Sequence, residues 1–428
     1  MRRNIHFNIL LLLLLVEAIS VRAVAQIPDR TLYQSISLDE YLKRVGEGNL
    51  NYLAEKLNVS IADAEMIAQK VLPDPEVGFE AGHETFSLGL SYSLELGNKR
   101  GARIKLARSQ MELEKLILEQ SFQNLRAEAA SLFLEAILQR ELLEVQQSSY
   151  QYMLQLSQSD SLRYVAGEIT ENDARQSKLE AVTLLNAVYS QEAAYQSALV
   201  VLNRQMGMAA DTLYIPLGNW DELNREFYLS ELIKVGLDNR IDLFTAQKNT
   251  EITSRAYKLT RAERRPDIGL SVSYEKDWNR FFPSARSATV GVSVPLAFSN
   301  INKGTVKAAK FRISQSEIQE KDIEQQIQAE IMQAWFNYQA EKKKVVQFKS
   351  GMLGDAQKVM DGMVYKYKRG ETNILDVLVA QRTYNEVQQE YLETMKGYAV
   401  SLVELERLVA FGTYVSKRGI FIRFYVLQ

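Results

Sequence analysis

Tyr365-Lys-Tyr-Lys-Arg-Gly-Glu-Thr-Asn-Ile-Leu-Asp-Val-Leu-Val-Ala-Gln381 reads as a turn on which the chain folds back. Before it, from Gly304, apolar residues recur at helical spacing, and after it they do so again as far as Gly412. A weaker copy, Tyr164-Val-Ala-Gly-Glu-Ile-Thr-Glu-Asn-Asp-Ala-Arg175, occupies the same place in the first half. Gly101 and Gly167 are 66 residues apart, and so are Gly304 and Gly370. The chain is therefore read as two copies of one unit. Each long helix would reach roughly 100 Å, longer than any one globular core, and each return helix roughly 60 Å. The shortfall matches the helix that opens each copy, so the short helices are expected to stack end to end beside the long one.

The same plan runs through both copies. Helical patterns span Ser37 to Gly46 and Leu50 to Val71, with Ser37 as N-cap, and Leu72-Pro-Asp-Pro75 stops them. Two alternating runs follow, joined by a turn at Gly82-His-Glu-Thr85. Val77, Phe79 and Ala81 share a face, as do Phe86, Leu88, Leu90, Tyr92, Leu94 and Leu96. The second copy repeats this with helices at 229–238 and 242–264 and with Arg265-Pro-Asp267. Its strands carry Ile268, Leu270, Val272 and Tyr274, then Ala288, Val290, Val292, Val294 and Leu296. Seven-residue rows on the long helices predict coiled-coil packing: Met111, Leu118, Leu125 and Leu132; Phe122, Ala129, Ala136, Leu143 and Tyr150; Ile331, Tyr338, Val345, Met352 and Val359.

The predicted boundaries are a signal peptide at 1–25, a first repeat at 26–207 and a polar connector at 208–228. A second repeat at 229–412 and an unassigned tail at 413–428 complete the chain. The strands fall at about 75–96 and 267–296, and the turns at about 164–175 and 365–381. The leader is read from Arg2 and Arg3, the apolar run Ile9–Val16 and the cleavage site Ala23-Val-Ala25, the alternative being a membrane anchor.

A net charge of −2 over 428 residues gives no reason to expect a nucleic-acid partner. The absence of cysteine excludes disulfides, thiol catalysis and an N-terminal lipidated cysteine. Of the two histidines only His83 would remain after cleavage, so the methionine pairs Met206/Met208 and Met360/Met363 do not make a metal site. No hydrolase triad, phosphate loop or metal-ligand cluster is present, and no enzyme, cofactor or metal is expected.

The strands have one apolar and one small, polar face. Taken alone, they could lie on helices as an ordinary antiparallel sheet. An exported chain with strands of bilayer-spanning length points instead to a transmembrane barrel, and four strands cannot close one with a lumen. Three chains would supply about twelve.

Hairpins alternating with paired long helices, twice over, resemble the TolC-like outer-membrane efflux factors, closest to the heavy-metal (CzcC-like) branch. Ser93-Leu-Glu-Leu-Gly-Asn-Lys-Arg-Gly-Ala-Arg103, Val292-Ser-Val-Pro-Leu-Ala-Phe-Ser-Asn-Ile-Asn-Lys-Gly304 and the Tyr-x-x-Gly-x-x-x-x-x-Asp-Val-Leu turn carry the resemblance. It implies a mainly α chain with membrane β: a long helical coiled-coil barrel plus a four-stranded contribution to a trimeric barrel of about twelve strands. It implies a homotrimer in outer-membrane lipid, a periplasmic helical tunnel, a periplasmic adaptor (membrane fusion protein) at the tips and an inner-membrane RND-type pump behind it. The function it implies is the passive channel of a tripartite efflux system for heavy-metal cations. Multidrug efflux, type I secretion and a non-channel periplasmic coiled-coil protein are the alternatives.

The resemblance places Tyr164, Gly167 and Asp173 at one periplasmic tip and Tyr367, Gly370 and Asp376 at the other, as tip and gate positions. Thr372 stands where the family pattern leads one to expect a gate arginine, and Val379 where it leads one to expect a second acidic residue. That turns attention to Arg369 and Lys368 as closing contacts. Asp376 has two readings, a ring of carboxylates in the bore or an exposed acid at a helix start. Asp173 and Arg175 have the same two. Lys99, Arg100 and Arg103 are expected at the membrane edge, on headgroups or in a solvated turn, and Trp278, Phe281 and Phe282 in the longer hairpin loop.

Overall fold

Seven prolines in 428 residues leave long stretches free to stay helical. The computed structural model describes residues 32–208, 212–218, 220, 225–278, 286–296 and 302–409. The expected leader, the tail and Phe281 and Phe282 lie outside them. The first half comprises β1 (Leu32–Ile36), α1 (Leu38–Gly48), α2 (Leu50–Ala68), β2 (Glu76–Ala81), β3 (Thr85–Leu94), α3 (Lys99–Val165) and α4 (Glu171–Gln205). After β4 (Thr212–Pro216) come α5 (Leu229–Asn239), α6 (Ile241–Ala262), β5 (Ile268–Asp277) and β6 (Arg286–Ser293). Then follow α7 (Lys303–Gln347), a π-helical turn (Phe348–Met352), α8 (Leu353–Lys368) and α9 (Ile374–Val409).

Helix α3, at 67 residues, sets the length of the molecule at roughly 100 Å. Helices α2 and α4 both pack along it, and they meet where the Asn49 side chain donates to the Gln205 backbone and side-chain oxygens at 3.1 and 2.8 Å. Helix α6 packs against both α3 and α7, so the two halves share one helical layer.

The four longer strands form one antiparallel sheet in the order β2-β3-β5-β6. Its register aligns Val77, Leu90, Val272 and Val290 across all four strands, and Phe79, Leu88, Tyr274 and Ala288 in the next row. Opposite them run Gly78, Gly89, Ser273 and Thr289. Among the described residues nothing covers the apolar face: Val77 is 71% exposed and Val290 78%. This face is less uniform than the alternation suggests, because the row at Phe86 continues into Lys276 and Arg286. Beside that row Phe79, Phe86 and Trp278 form an aromatic cluster, with centroids 5.1 and 6.4 Å apart and Lys276 over the Trp278 ring.

Three expectations need correcting. The connector is not merely polar: β4 pairs in parallel with β1, burying Leu213, Tyr214 and Pro216. Arg140 donates to the Pro216 and Gly218 carbonyls, and the buried Glu406 pairs with Arg225. Lys99 and Arg103 are not lipid- or solvent-directed, because Lys99 bonds Asp267 at 2.7 Å and Arg103 bonds Glu95 at 2.8 Å, tying the strand ends to the helices. Arg100 donates to the Lys70 carbonyl at 2.8 Å, which holds the end of α2.

The third correction concerns the heptad row. Ile331, Tyr338 and Val345 are buried, but Met352 and Val359, the next members, are exposed. The π turn inserts one residue, which rotates everything after it. Met360 and Tyr367 are buried in their place. Gly351 lies in this turn with φ +137, a conformation that L side chains rarely adopt. Gly351→Ala is expected to lower stability by about 1–3 kcal/mol. Gly354→Ala, in regular helix with open space around its Cβ, should be neutral or stabilising by up to about 1 kcal/mol. Thermal unfolding of the purified protein compares them; equal midpoints would contradict the strained turn.

Candidate functional site

Each long helix ends in the same short turn. At the first, the Gly167 N–H bonds the Tyr164 carbonyl at 2.9 Å and the Glu168 N–H reaches back to Arg163 at 2.9 Å. At the second, Gly370 bonds Tyr367 at 3.0 Å and Glu371 bonds Lys366 at 2.9 Å. This double closure needs a left-handed residue, and Gly167 and Gly370 supply it with φ +75 and +73. Nothing lies within 4 Å of a Cβ built at either glycine, so backbone angle and not crowding is what requires it.

The return helices start alike. Thr170 and Asp173 form a reciprocal capping box at the head of α4, worth about 1 kcal/mol. The Asn373 side chain accepts from the Asp376 N–H at 3.0 Å, and Thr372 donates to the Asp376 carboxylate. The structure thus supplies helix-start partners for both Asp173 and Asp376. Arg175 pairs with Glu171 on the same exposed turn.

The two tip tyrosines are not equivalent. Tyr164 is 43% exposed, whereas Tyr367 is 3% exposed. The Tyr367 hydroxyl donates to Asp160 Oδ1 at 2.9 Å, a bond from α8 in the second half to α3 in the first. Arg163 stacks over the Tyr367 ring at 4.9 Å and approaches Asp160 at 3.6 Å. Around them Met153, Leu156, Leu184, Val364, Ile374 and Val377 form a small core of their own. Burial raises the Asp160 carboxyl above the ordinary range against the opposing pull of Ser177, Tyr367 and Arg163. Burial and the neighbouring Asp160 likewise raise the Tyr367 phenol.

Arg369 does not make this inter-half contact. It pairs with Glu371 at 2.8 Å and donates to Tyr365 at 3.0 Å, while Lys368 is exposed. Asp160 escaped the sequence reading, although it stands seven residues after the fully buried Met153, where a carboxylate interrupts a core row. Met363 holds the matching position in the second half. A second buried polar layer was also missed: Ser149 donates to Asn385 at 2.7 Å, and so does Gln381 at 2.9 Å. Among the described residues no group of His, Cys, Asp and Glu could hold a metal ion. No helix among them is long and apolar enough to cross a membrane.

Residues 232–410 match the family model described as "Outer membrane efflux protein". The chain is 21% identical over 379 residues to the cobalt-zinc-cadmium resistance protein CzcC of Cupriavidus metallidurans, covering 87% of this chain and 90% of that one. It is 21% identical over 342 residues to the outer membrane efflux protein BepC of Brucella suis, with 77% and 70% covered. Its fold superimposes on the solved structure of CusC with a TM-score of 0.74 at 15% identity, over 89% of this chain and 93% of that one. The likeness to TolC-like outer-membrane efflux factors therefore holds in sequence and in fold. The architecture shared with that solved structure is a four-stranded sheet carried on long helices.

Two substitutions test the contact between the halves. Tyr367→Phe leaves a buried carboxylate short of a donor and should cost about 1–3 kcal/mol in thermal or denaturant unfolding. Because the folded-state pKa of Asp160 is raised, ionising it costs stability as pH rises through that value, and the cost is absent below the ordinary carboxylate pKa. Asp160→Asn should therefore be more stable than wild type at neutral pH and lose that advantage as pH falls into the ordinary carboxylate range. An advantage that persists unchanged at acid pH would contradict the assignment.

Proposed function

We propose that this chain is the outer-membrane channel of a tripartite efflux system, a passive duct across the periplasm for heavy-metal cations. The observation that carries the reading is the open four-stranded sheet, apolar and uncovered on one face, mounted on helices of roughly 100 Å. In lipid every backbone group needs a partner, so β2 and β6 must pair with other copies. Three copies closing about twelve strands give a lumen. The long helices then continue that lumen as a tunnel. No catalytic step is assigned to any residue.

The tips at Tyr164, Gly167 and Asp173 and at Tyr367, Gly370 and Asp376 form the far end of the duct. This is the end that a periplasmic adaptor would meet, with an RND-type pump behind it. The Tyr367–Asp160 bond holds the second helix pair against the first there, and releasing it would widen the aperture. Metal cargo is supported by the likeness to CzcC, whose name states cobalt, zinc and cadmium resistance. Selectivity would reside in the pump, because the described residues hold no metal-ligand cluster.

Reconstitution into planar bilayers tests the duct. A heat-resistant oligomer with small steady conductance is expected, and Tyr367→Phe should conduct more. A monomer without conductance would contradict the reading. Deleting the gene in its host should raise sensitivity to cobalt, zinc or cadmium; unchanged tolerance to all three would remove the metal assignment and leave the duct.

A further inference from the structure

The helix segments nearest the sheet are strongly cationic, although the chain as a whole is slightly acidic. Residues 97–108, which follow β3, carry five cations and no acid, and residues 302–312, which follow the last described part of the hairpin, carry four and none. Residues 254–265, which lead into β5, carry five against Glu263 alone. The side chains of Lys105, Lys258, Arg261, Arg264, Lys303 and Lys310 are exposed, and among the described residues none of these six forms an ion pair.

Part of this belt has a shaped recess. The first turns of α3 and the last turns of α6 enclose a cleft of about 170 Å³ lined by Gly97, Asn98, Lys105, Arg255 and Lys258. Arg255 is held in it by Glu251 at 3.0 Å, whereas the two lysines are exposed. The cleft lies within three turns of the ends of β3 and β5, beyond the end of the sheet. The opposite end of the sheet bears the aromatic cluster of Phe79, Phe86 and Trp278. An apolar band with an aromatic rim at one end, where Lys276 and Arg286 also stand, and the larger set of cations at the other matches the layering of a bilayer and its headgroups.

We propose that the cleft between α3 and α6 binds the phosphodiester headgroup of an anionic phospholipid in the membrane leaflet nearer the helices, through Lys105 and Lys258. The proposal rests on the membrane placement given under Proposed function. The lysines reach the phosphate while their methylene stems lie along the helix surface. The other exposed cations without an ion pair among the described residues, Arg261, Arg264, Lys303 and Lys310, add positive potential, which selects an anionic lipid over a zwitterionic one. Free inorganic phosphate lacks the acyl chains that would extend past the strand ends toward the exposed apolar residues of the sheet, so the lipid is the favoured source.

The full-length oligomer in detergent, offered equal phosphatidylglycerol and phosphatidylethanolamine, tests this by native mass spectrometry. The wild type should retain phosphatidylglycerol over phosphatidylethanolamine by about tenfold. Lys105→Gln with Lys258→Gln should fall to near parity, and Lys105→Arg with Lys258→Arg should restore the preference. Lys178→Gln with Lys366→Gln, exposed cations at the tip end, should retain it. Equal enrichment in the Gln pair and the wild type would overturn the proposal. So would displacement of the bound lipid by millimolar inorganic phosphate alone, or loss of binding to purified peptidoglycan with lipid retention intact. A shifted reversal potential with lipid retention intact would place the cleft in the bore and overturn it too. Channel conductance of the same preparations separates the cases: conductance without lipid preference fails this proposal alone, and absence of conductance fails the duct.

Discussion

A strand in lipid cannot leave its N–H and C=O groups unpaired, and this constraint governs the rest of the molecule. Among the described residues β3 and β5 are paired on both sides, whereas β2 and β6 each keep one open edge. The sheet cannot bury its apolar face against the helices either, because they lie beyond its end and not beneath it. Both problems vanish when copies of the chain join edge to edge and the apolar face meets acyl chains. Once the strands are arranged around an axis, the helices that continue from them must be arranged around it as well. Their length then sets how far the enclosed space extends.

The two halves are fastened in three places, each by a different kind of contact. At the sheet, Lys99 in the first half binds Asp267 in the second, while Arg103 binds Glu95 within the first and ties the end of β3 to α3. At mid-height the parallel β1–β4 pair, Arg140 and the Arg225–Glu406 ion pair clamp the connector. At the tips the halves meet through a small apolar core, the Tyr367–Asp160 bond and the Ser149–Asn385–Gln381 layer. The mid-height fastening combines the Arg225–Glu406 ion pair with the large buried cluster. The tip relies on fewer apolar side chains and on polar bonds whose loss leaves buried groups unpaired. The π turn lies between mid-height and tip and sets which face of α8 reaches that contact.

Much of this was legible in the sequence because it is local or periodic. Alternation marked the four strands of the sheet, the two glycines marked the turns, and heptad rows marked the long helices. What escaped notice depends on contacts distant in sequence. Strands β1 and β4 have five residues each and pair across a separation of 180 positions, so neither carries a local signal. Asp160 finds Tyr367 only after the whole second half has folded back. The π turn was missed because one inserted residue leaves helical spacing intact while rotating everything beyond it. The matched tip motifs also concealed an asymmetry, since the sequence treats Tyr164 and Tyr367 alike and packing buries only one.

The absence of cysteine makes the edge pairing directly measurable. Pairs of cysteines, one at Val77 or Phe79 in β2 and one at Val290 or Val292 in β6, can be oxidised with the protein in its native membrane. If copies join edge to edge into a closed barrel, at least one register pair will give a reducible, covalently closed ring of three chains on a denaturing gel. If no pair links two chains while the protein is folded in the membrane, the open edges are not joined by copies of the chain, and the duct does not exist as described.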